Sequence, residues 1–193
     1  MKVWGLTGGI GTGKSTVARL FQEIGGVPAL DADQVARELR EPGQAAHRAL
    51  LERFGTADRK ELRALLTRDS AAKADLEALL HPLIRKASRE KLESLQRAHP
   101  AAPFLIYEAT LLIESGRAPD FEGILVVTAP LPDRLARISA RDGVSQTDAL
   151  ALIEAQSTDS FRLQAADHHI QNLGSIEDLK IQVRKILDQI KSP

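Results

Sequence analysis

Gly8-Gly9-Ile10-Gly11-Thr12-Gly13-Lys14-Ser15 fits the spacing G-x-x-x-x-G-K-[ST], and Thr16 follows it. These residue types at this spacing make a cradle for a nucleoside triphosphate. Gly8, Gly9, Gly11 and Gly13 let successive backbone N–H groups turn inward around phosphate oxygens, with Thr12 between them. A helix that starts just after the loop presents its N-terminal amides to the same anion. Lys14 reaches the β and γ phosphates as a point charge, and the Ser15 hydroxyl is placed to ligate the Mg2+ ion that bridges them. ATP and Mg2+ are therefore the expected cofactors.

The motif needs a strand before it and a helix after it. Lys2-Val3-Trp4-Gly5-Leu6-Thr7 reads as a short apolar strand, and Val17, Leu20, Phe21 and Ile24 recur at helical spacing behind the loop. Further strand-like runs at Val27–Leu30, Phe104–Tyr107, Ile124–Thr128 and His168–Gln171 alternate with helical patterns. Alternation of this kind predicts an α/β fold with a mainly parallel five-stranded sheet. Between the second and third strands, residues 43–100 hold no convincing strand. They carry helical stripes instead, at Leu62, Leu65 and Leu66, at Leu76, Leu79 and Leu80, and at Leu83, Ile84 and Ala87. We expect a helical insertion that receives the acceptor at the carboxyl ends of the strands. A second helical region, about 131–160, breaks at Asp142-Gly143 and resumes with Ser145 as N-cap, which predicts a helical lid. Ser175 to Ile190 reads as an amphipathic terminal helix.

Bulk properties narrow the partners. The chain has 193 residues, enough for one sizeable core, and its 26 basic and 26 acidic side chains cancel. That balance argues against a broad electrostatic grip on nucleic acid. Without cysteine, thiol catalysis, disulfides and a zinc-bound lid are excluded. No apolar stretch approaches the roughly 20 residues of a membrane span, and the phosphate motif leaves no room for a signal peptide before it. The expectation is a soluble, cytoplasmic protein with a small-molecule partner; oligomeric state is not legible.

A phosphate loop by itself serves kinases, GTPases, motors and binding modules alike. A guanine reader of the N-K-x-D type is excluded, because the sole asparagine, Asn172, is followed by Leu-Gly-Ser. Asp120-Phe121-Glu122-Gly123 spells D-x-x-G but precedes a strand instead of ending one. Small size, a helical insertion and a basic lid point to a metabolite kinase. Five stretches then resemble one family over nearly the whole chain, the dephospho-coenzyme A kinases: Gly5 to Ala18; Asp31-Ala32-Asp33 with Ala36-Arg37; His81-Pro82-Leu83-Ile84-Arg85; Arg141-Asp142; and Ala166-Asp167 through Ile170, Asn172, Gly174 and Ser175.

The resemblance implies a three-layer P-loop NTPase fold and transfer of the ATP γ-phosphoryl group to the 3′-hydroxyl of dephospho-coenzyme A, the final step of coenzyme A synthesis. It implies Asp33 as the base that accepts or orients the hydroxyl proton, with Asp31 as competitor; a helix N-cap is the structural alternative for either. It implies Arg141 over the transferring group, with Lys14 and Thr7 also catalytic, and Arg137 and Asn172 on the ATP side. Taken alone, Arg134, Arg137 and Arg141 at helical spacing would read as a solvated face. His81 and Arg85, one turn apart, would meet an acidic group of the acceptor, a Pro-containing helix start being the alternative. Glu108 is read as substrate-binding, or as a carboxylate that orients magnesium waters. His168 and His169 point to opposite faces of a strand and so do not form a metal pair. Two departures stand out: Thr110 occupies the family's proline position and Glu108 a common aspartate position, while Gly55–Asp58 makes a shorter connection than usual. Rival readings are a nucleoside monophosphate or shikimate-type kinase, and a non-catalytic ATP-binding switch.

Overall fold

The computed structural model describes residues 2–68 and 70–191. In chain order the elements are β1 (Val3–Thr7), α1 (Lys14–Gly25), β2 (Ala29–Asp31), α2 (Ala32–Glu38), α3 (Ala45–Phe54), α4 (Arg59–Arg68), α5 (Ser70–Ala98), β3 (Leu105–Glu108), β4 (Ile124–Thr128), α6 (Leu131–Asp142), α7 (Gln146–Glu154), α8 (Asp159–Leu163), β5 (His168–Gln171) and α9 (Ile176–Lys191). They divide into two compact units, one of residues 1–30 with 95–193 and the other Asp31–Ser94.

The larger unit is built on a five-stranded sheet of order β2-β3-β1-β4-β5. β1 lies parallel to β3, with Val3 opposite Leu105 and Leu6 opposite Glu108, and parallel to β4, with Gly5 opposite Ile124. β4 in turn lies parallel to β5, with Leu125 opposite His168. Parallel strands buried on both faces need continuous apolar runs, and Ile124 to Val127 are all buried. The core joins Leu6, Ile106, Leu125, Val127 and Ile170 from the strands to Val17, Leu20 and Phe21 of α1 and Leu179, Val183, Ile186 and Leu187 of α9.

Gly26 closes α1 in the left-handed conformation, with φ 63°, and its N–H bonds the Gln22 carbonyl. Val27 N–H then returns to the Phe21 carbonyl. Val27 is therefore spent on ending the helix, so β2 begins at Ala29 and not at Val27 as the sequence predicts. The predicted strands Ile124–Thr128 and His168–Gln171 are found with those bounds, and the first strand begins at Val3, one residue after the predicted run from Lys2. Ser145 caps α7 by accepting from Asp148 N–H. Beyond β3, Arg117 donates to the Tyr107 hydroxyl at 2.6 Å and to Asp120 at 2.9 Å, while stacking over the Tyr107 ring at 4.8 Å. The two histidines diverge as expected. His168 lies against Trp4, ring centroids 5.4 Å apart, and His169 meets the Thr128 hydroxyl at 2.7 Å.

The smaller unit, Asp31–Ser94, is helical from α2 through most of α5. Pro82 lies inside α5, which corrects the alternative of a Pro-containing helix start. Of the predicted stripes, Leu62 is buried and Leu65 exposed; the side chain of Leu66 is outside the described residues. Among the described residues no helix is long and apolar enough to cross a membrane.

Gly123 shows how tightly β1 is seated. Its carbonyl accepts from Gly5 N–H at 2.9 Å, and a Cβ there would lie 2.4 Å from the Trp4 ring. Overpacking of this kind costs about 1–3 kcal/mol. Gly123→Ala should lower the urea midpoint of unfolding accordingly without changing the slope.

Candidate active site

Strands β3, β1, β4 and β5 run parallel, so the segments leaving β1, β3 and β4 share one edge. The phosphate motif occupies the connection from β1 to α1. Gly13 adopts φ 94° and ψ 27° as the N-cap of α1, a conformation that favours glycine, and a Cβ there would sit 2.4 Å from Asn172 Nδ2. The Val17 N–H bonds the Gly13 carbonyl at 3.1 Å, so α1 opens directly out of the loop. At Gly8 a Cβ would meet the Val127 carbonyl at 2.3 Å, so the loop leaves β1 pressed against the end of β4.

Amides turned toward an anion leave carbonyls turned away from it, and each needs a donor. Five consecutive carbonyls receive one from a side chain. Lys14 Nζ donates to Gly8 at 3.1 Å, and Thr12 Oγ1 to Gly9 at 2.9 Å. Arg134 Nε donates to Ile10 at 2.9 Å, Arg137 Nη1 to Gly11 at 3.2 Å, and Asn172 Nδ2 to Thr12 at 2.8 Å. Asn172 is 5% exposed, and its other amide atom accepts from Arg137 Nη2 at 3.4 Å. Through these contacts Asn172 braces the loop.

Gly11, Gly13, Lys14, Ser15, Arg137, Ile138 and Arg141 line one cavity of about 160 Å³. Three cations from two helices converge there. The side chain of Arg141 is 63% exposed and forks onto Asp142 with two 2.7 Å contacts. That hydrogen bond raises the Arg141 pKa and lowers the Asp142 pKa below the usual carboxylate range. Arg134 differs from the solvated reading given to it. It is 7% exposed, and burial lowers its pKa against the opposing pull of Asp159.

Ser15 Oγ donates to Glu108 Oε1 at 3.2 Å, and Glu108 ends β3 beside β1. A hydroxyl and a carboxylate side by side at the phosphate loop are the hard oxygen donors that suit Mg2+, which takes one or two protein oxygens and completes its shell with phosphate and water. The residues fit that ion. Thr7, also expected to be catalytic, is fully buried and donates its hydroxyl to the Thr110 carbonyl at 3.2 Å.

The structure thus gathers Thr7 through Thr16, Glu108, Arg137, Arg141 and Asn172 in one unit. Asp31, Asp33, His81 and Arg85 belong to the other unit. Asp31 is the N-cap of α2, accepting from Gln34 N–H at 2.9 Å, and its second oxygen lies 3.7 Å from Arg37. Asp33 is exposed in the first turn of α2, and His81 and Arg85 are exposed one turn apart on α5. Sequence reasoning missed Gln156 and the inward course of Arg134. The buried Ile138 one turn beyond Arg134 was the available signal for the latter.

Residues 2–178 match the family model described as dephospho-CoA kinase. The chain is 37% identical to the dephospho-CoA kinase of Moorella thermoacetica over 99% of its own length and 93% of the relative's. It is 40% identical to that of Sodalis glossinidius over 92% and 86%. Among solved structures it resembles TT1252 from Thermus thermophilus, with TM-score 0.82 and 35% identity over 99% of this chain and 98% of that one. It also resembles dephospho-CoA kinase from Campylobacter jejuni, with TM-score 0.67 and 26% identity over 98% of each. A shikimate kinase from Bacteroides thetaiotaomicron, at 15% identity and TM-score 0.58, shares the fold.

The bracing role of Asn172 can be measured directly. Asn172→Ala leaves the buried Thr12 carbonyl without its nearest side-chain donor, which costs about 1–3 kcal/mol. Chemical denaturation should show that loss, and ATP should restore less thermal stability to the variant than to the parent.

Proposed function

The chain belongs to the dephospho-CoA kinase family, and from that membership we propose how its own residues divide the transfer of a phosphoryl group from ATP to the 3′-hydroxyl of dephospho-coenzyme A. The observation that carries the reading is the single cavity in which loop amides meet Lys14, Arg137 and Arg141, with the Ser15 and Glu108 oxygens alongside.

Amides of the Gly8–Thr16 segment other than that of Ile10, which Gln156 holds, bind the phosphate chain, and Lys14 Nζ moves from the Gly8 and Gly9 carbonyls to the β and γ oxygens. Arg141 moves from Asp142 to the transferring group. An exposed ion pair is worth only about 0–1 kcal/mol, so the exchange costs little. Ser15 and Glu108 would hold Mg2+, which would supply positive charge against the phosphates. Arg137 stays on the loop carbonyls and adds positive potential from there.

Asp33 takes the acceptor proton. Support comes from the match to the family's D-A-D segment, Asp31-Ala32-Asp33. As the 3′-oxygen bonds to the γ phosphorus, the bond from that phosphorus to the bridging oxygen breaks. ADP leaves with the electron pair, and the hydroxyl proton passes to Asp33. His81 and Arg85 bind an acidic group of the acceptor. Thr7 ties the end of β1 to the segment after β3, beside the reacting groups. The cysteine-free composition suits a reducing cytoplasm, where we place the enzyme.

With ATP and Mg2+ present, a panel of dephospho-coenzyme A, shikimate and nucleoside monophosphates should give turnover with the first only; turnover with another acceptor alone would overturn the reading. Asp33→Asn should lower kcat about 100-fold or more while leaving the circular dichroism spectrum and ATP affinity unchanged.

A further inference from the structure

Ile10, at the crest of the phosphate loop, has both of its backbone polar groups held by side chains from far along the sequence. Its carbonyl accepts from Arg134 Nε at 2.9 Å, and its N–H donates to Gln156 Oε1 at 2.8 Å. Arg134 is in the second turn of α6, and Gln156 follows α7. Both ends of the 135–155 hairpin therefore grip one residue of the loop.

Arg134 is itself held in place. Its Nη1 reaches Asp159 Oδ2 at 3.4 Å, and the other Asp159 oxygen lies 3.4 Å from Arg162 Nη1. Arg162 is fully buried and also meets the Ser157 carbonyl at 2.8 Å and Glu114 Oε1 at 2.6 Å. Two cations and two anions thus form a neutral, largely buried chain from the segment after β3 to the loop crest. Buried ion pairs of this kind contribute little net stability but resist the loss of one partner. Gly9 shows how closely the chain approaches, since a Cβ there would lie 2.3 Å from Arg134 Nη2.

We propose that Arg134 and Gln156 are positioning residues for phosphoryl transfer: by fixing the Ile10 peptide groups they set the curvature of the loop around the ATP phosphates. The proposal rests on the reading of Gly8–Ser15 as the ATP site. It assigns neither residue a contact with substrate. It also confines lid movement to the tip of the hairpin, around Arg141 and α7, because Arg134 and Gln156 are pinned at the same point.

Gln156→Met keeps side-chain length and removes the acceptor. In wild-type protein, amide hydrogen exchange read by NMR should find Ile10 N–H protected at least tenfold over an open amide. In Q156M that protection should fall about tenfold while Ile106 and Val126 in the sheet stay unchanged. Steady-state kinetics of Q156M should show kcat/KM for ATP lowered about tenfold, KM for dephospho-coenzyme A within twofold of the parent, and Tm within a few degrees. An unprotected Ile10 amide in the wild type overturns the proposal even if Q156M cannot be folded. So do parental ATP kinetics in Q156M, or a loss that affects both substrates equally and follows the melting temperature. Wild-type turnover separates the two readings: if the unaltered enzyme forms no coenzyme A from ATP, the functional reading fails, and the exchange result at Ile10 stands apart from it.

Discussion

A backbone that curls its N–H groups around an anion must find partners for the carbonyls on its outer side, and the active-site architecture follows from that requirement. A side chain answers each carbonyl from Gly8 to Thr12, and the donors come from the loop itself, from α6 and from the turn after β5. This explains why α6 and the turn after β5 supply donors to the loop although most of their residues do not line the cavity. It also explains the concentration of arginine there. A guanidinium offers several donors in one plane, so Arg137 serves the Gly11 carbonyl and Asn172 together while keeping its charge near the cavity.

Much of the fold was legible because strand alternation and helix caps are local signals. β1, β4 and β5 follow from apolar runs bounded by turn residues, and Ser145 announces α7. β2 was misplaced by two residues at its start because Val27, apolar and β-branched, is used by the helix terminator ahead of it. The gathered part of the site was legible in outline, since the glycine spacing fixed the loop and its lysine. The resemblance favours Asp33 over Asp31 as base, with a helix N-cap the alternative for either, and in α2 it is Asp31 that caps the helix.

The brace around Ile10 was hidden for a physical reason. Charged residues at helical spacing usually face water, and the one local signal, Ile138 four residues after Arg134, also lies three residues before Arg141. Only the assembled unit shows that Arg134 lies on the stripe of Ile138, while Arg141 lies out toward solvent with Asp142. Burial lowers the Arg134 pKa, a cost that the Asp159 charge offsets and that the Arg162 charge increases. Glu114 and Asp159 bring that cluster back to neutrality.

The strand order has a further consequence for biogenesis. β1 is made before either of its neighbours, yet it lies between β3 and β4, so on the ribosome its two hydrogen-bonding edges stay open until the chain has grown past Leu105 and then Ile124. Contacts so distant in sequence are slow to form. Throughout that interval the nascent chain presents an unpaired apolar strand, a natural substrate for chaperones that shield exposed edges during translation.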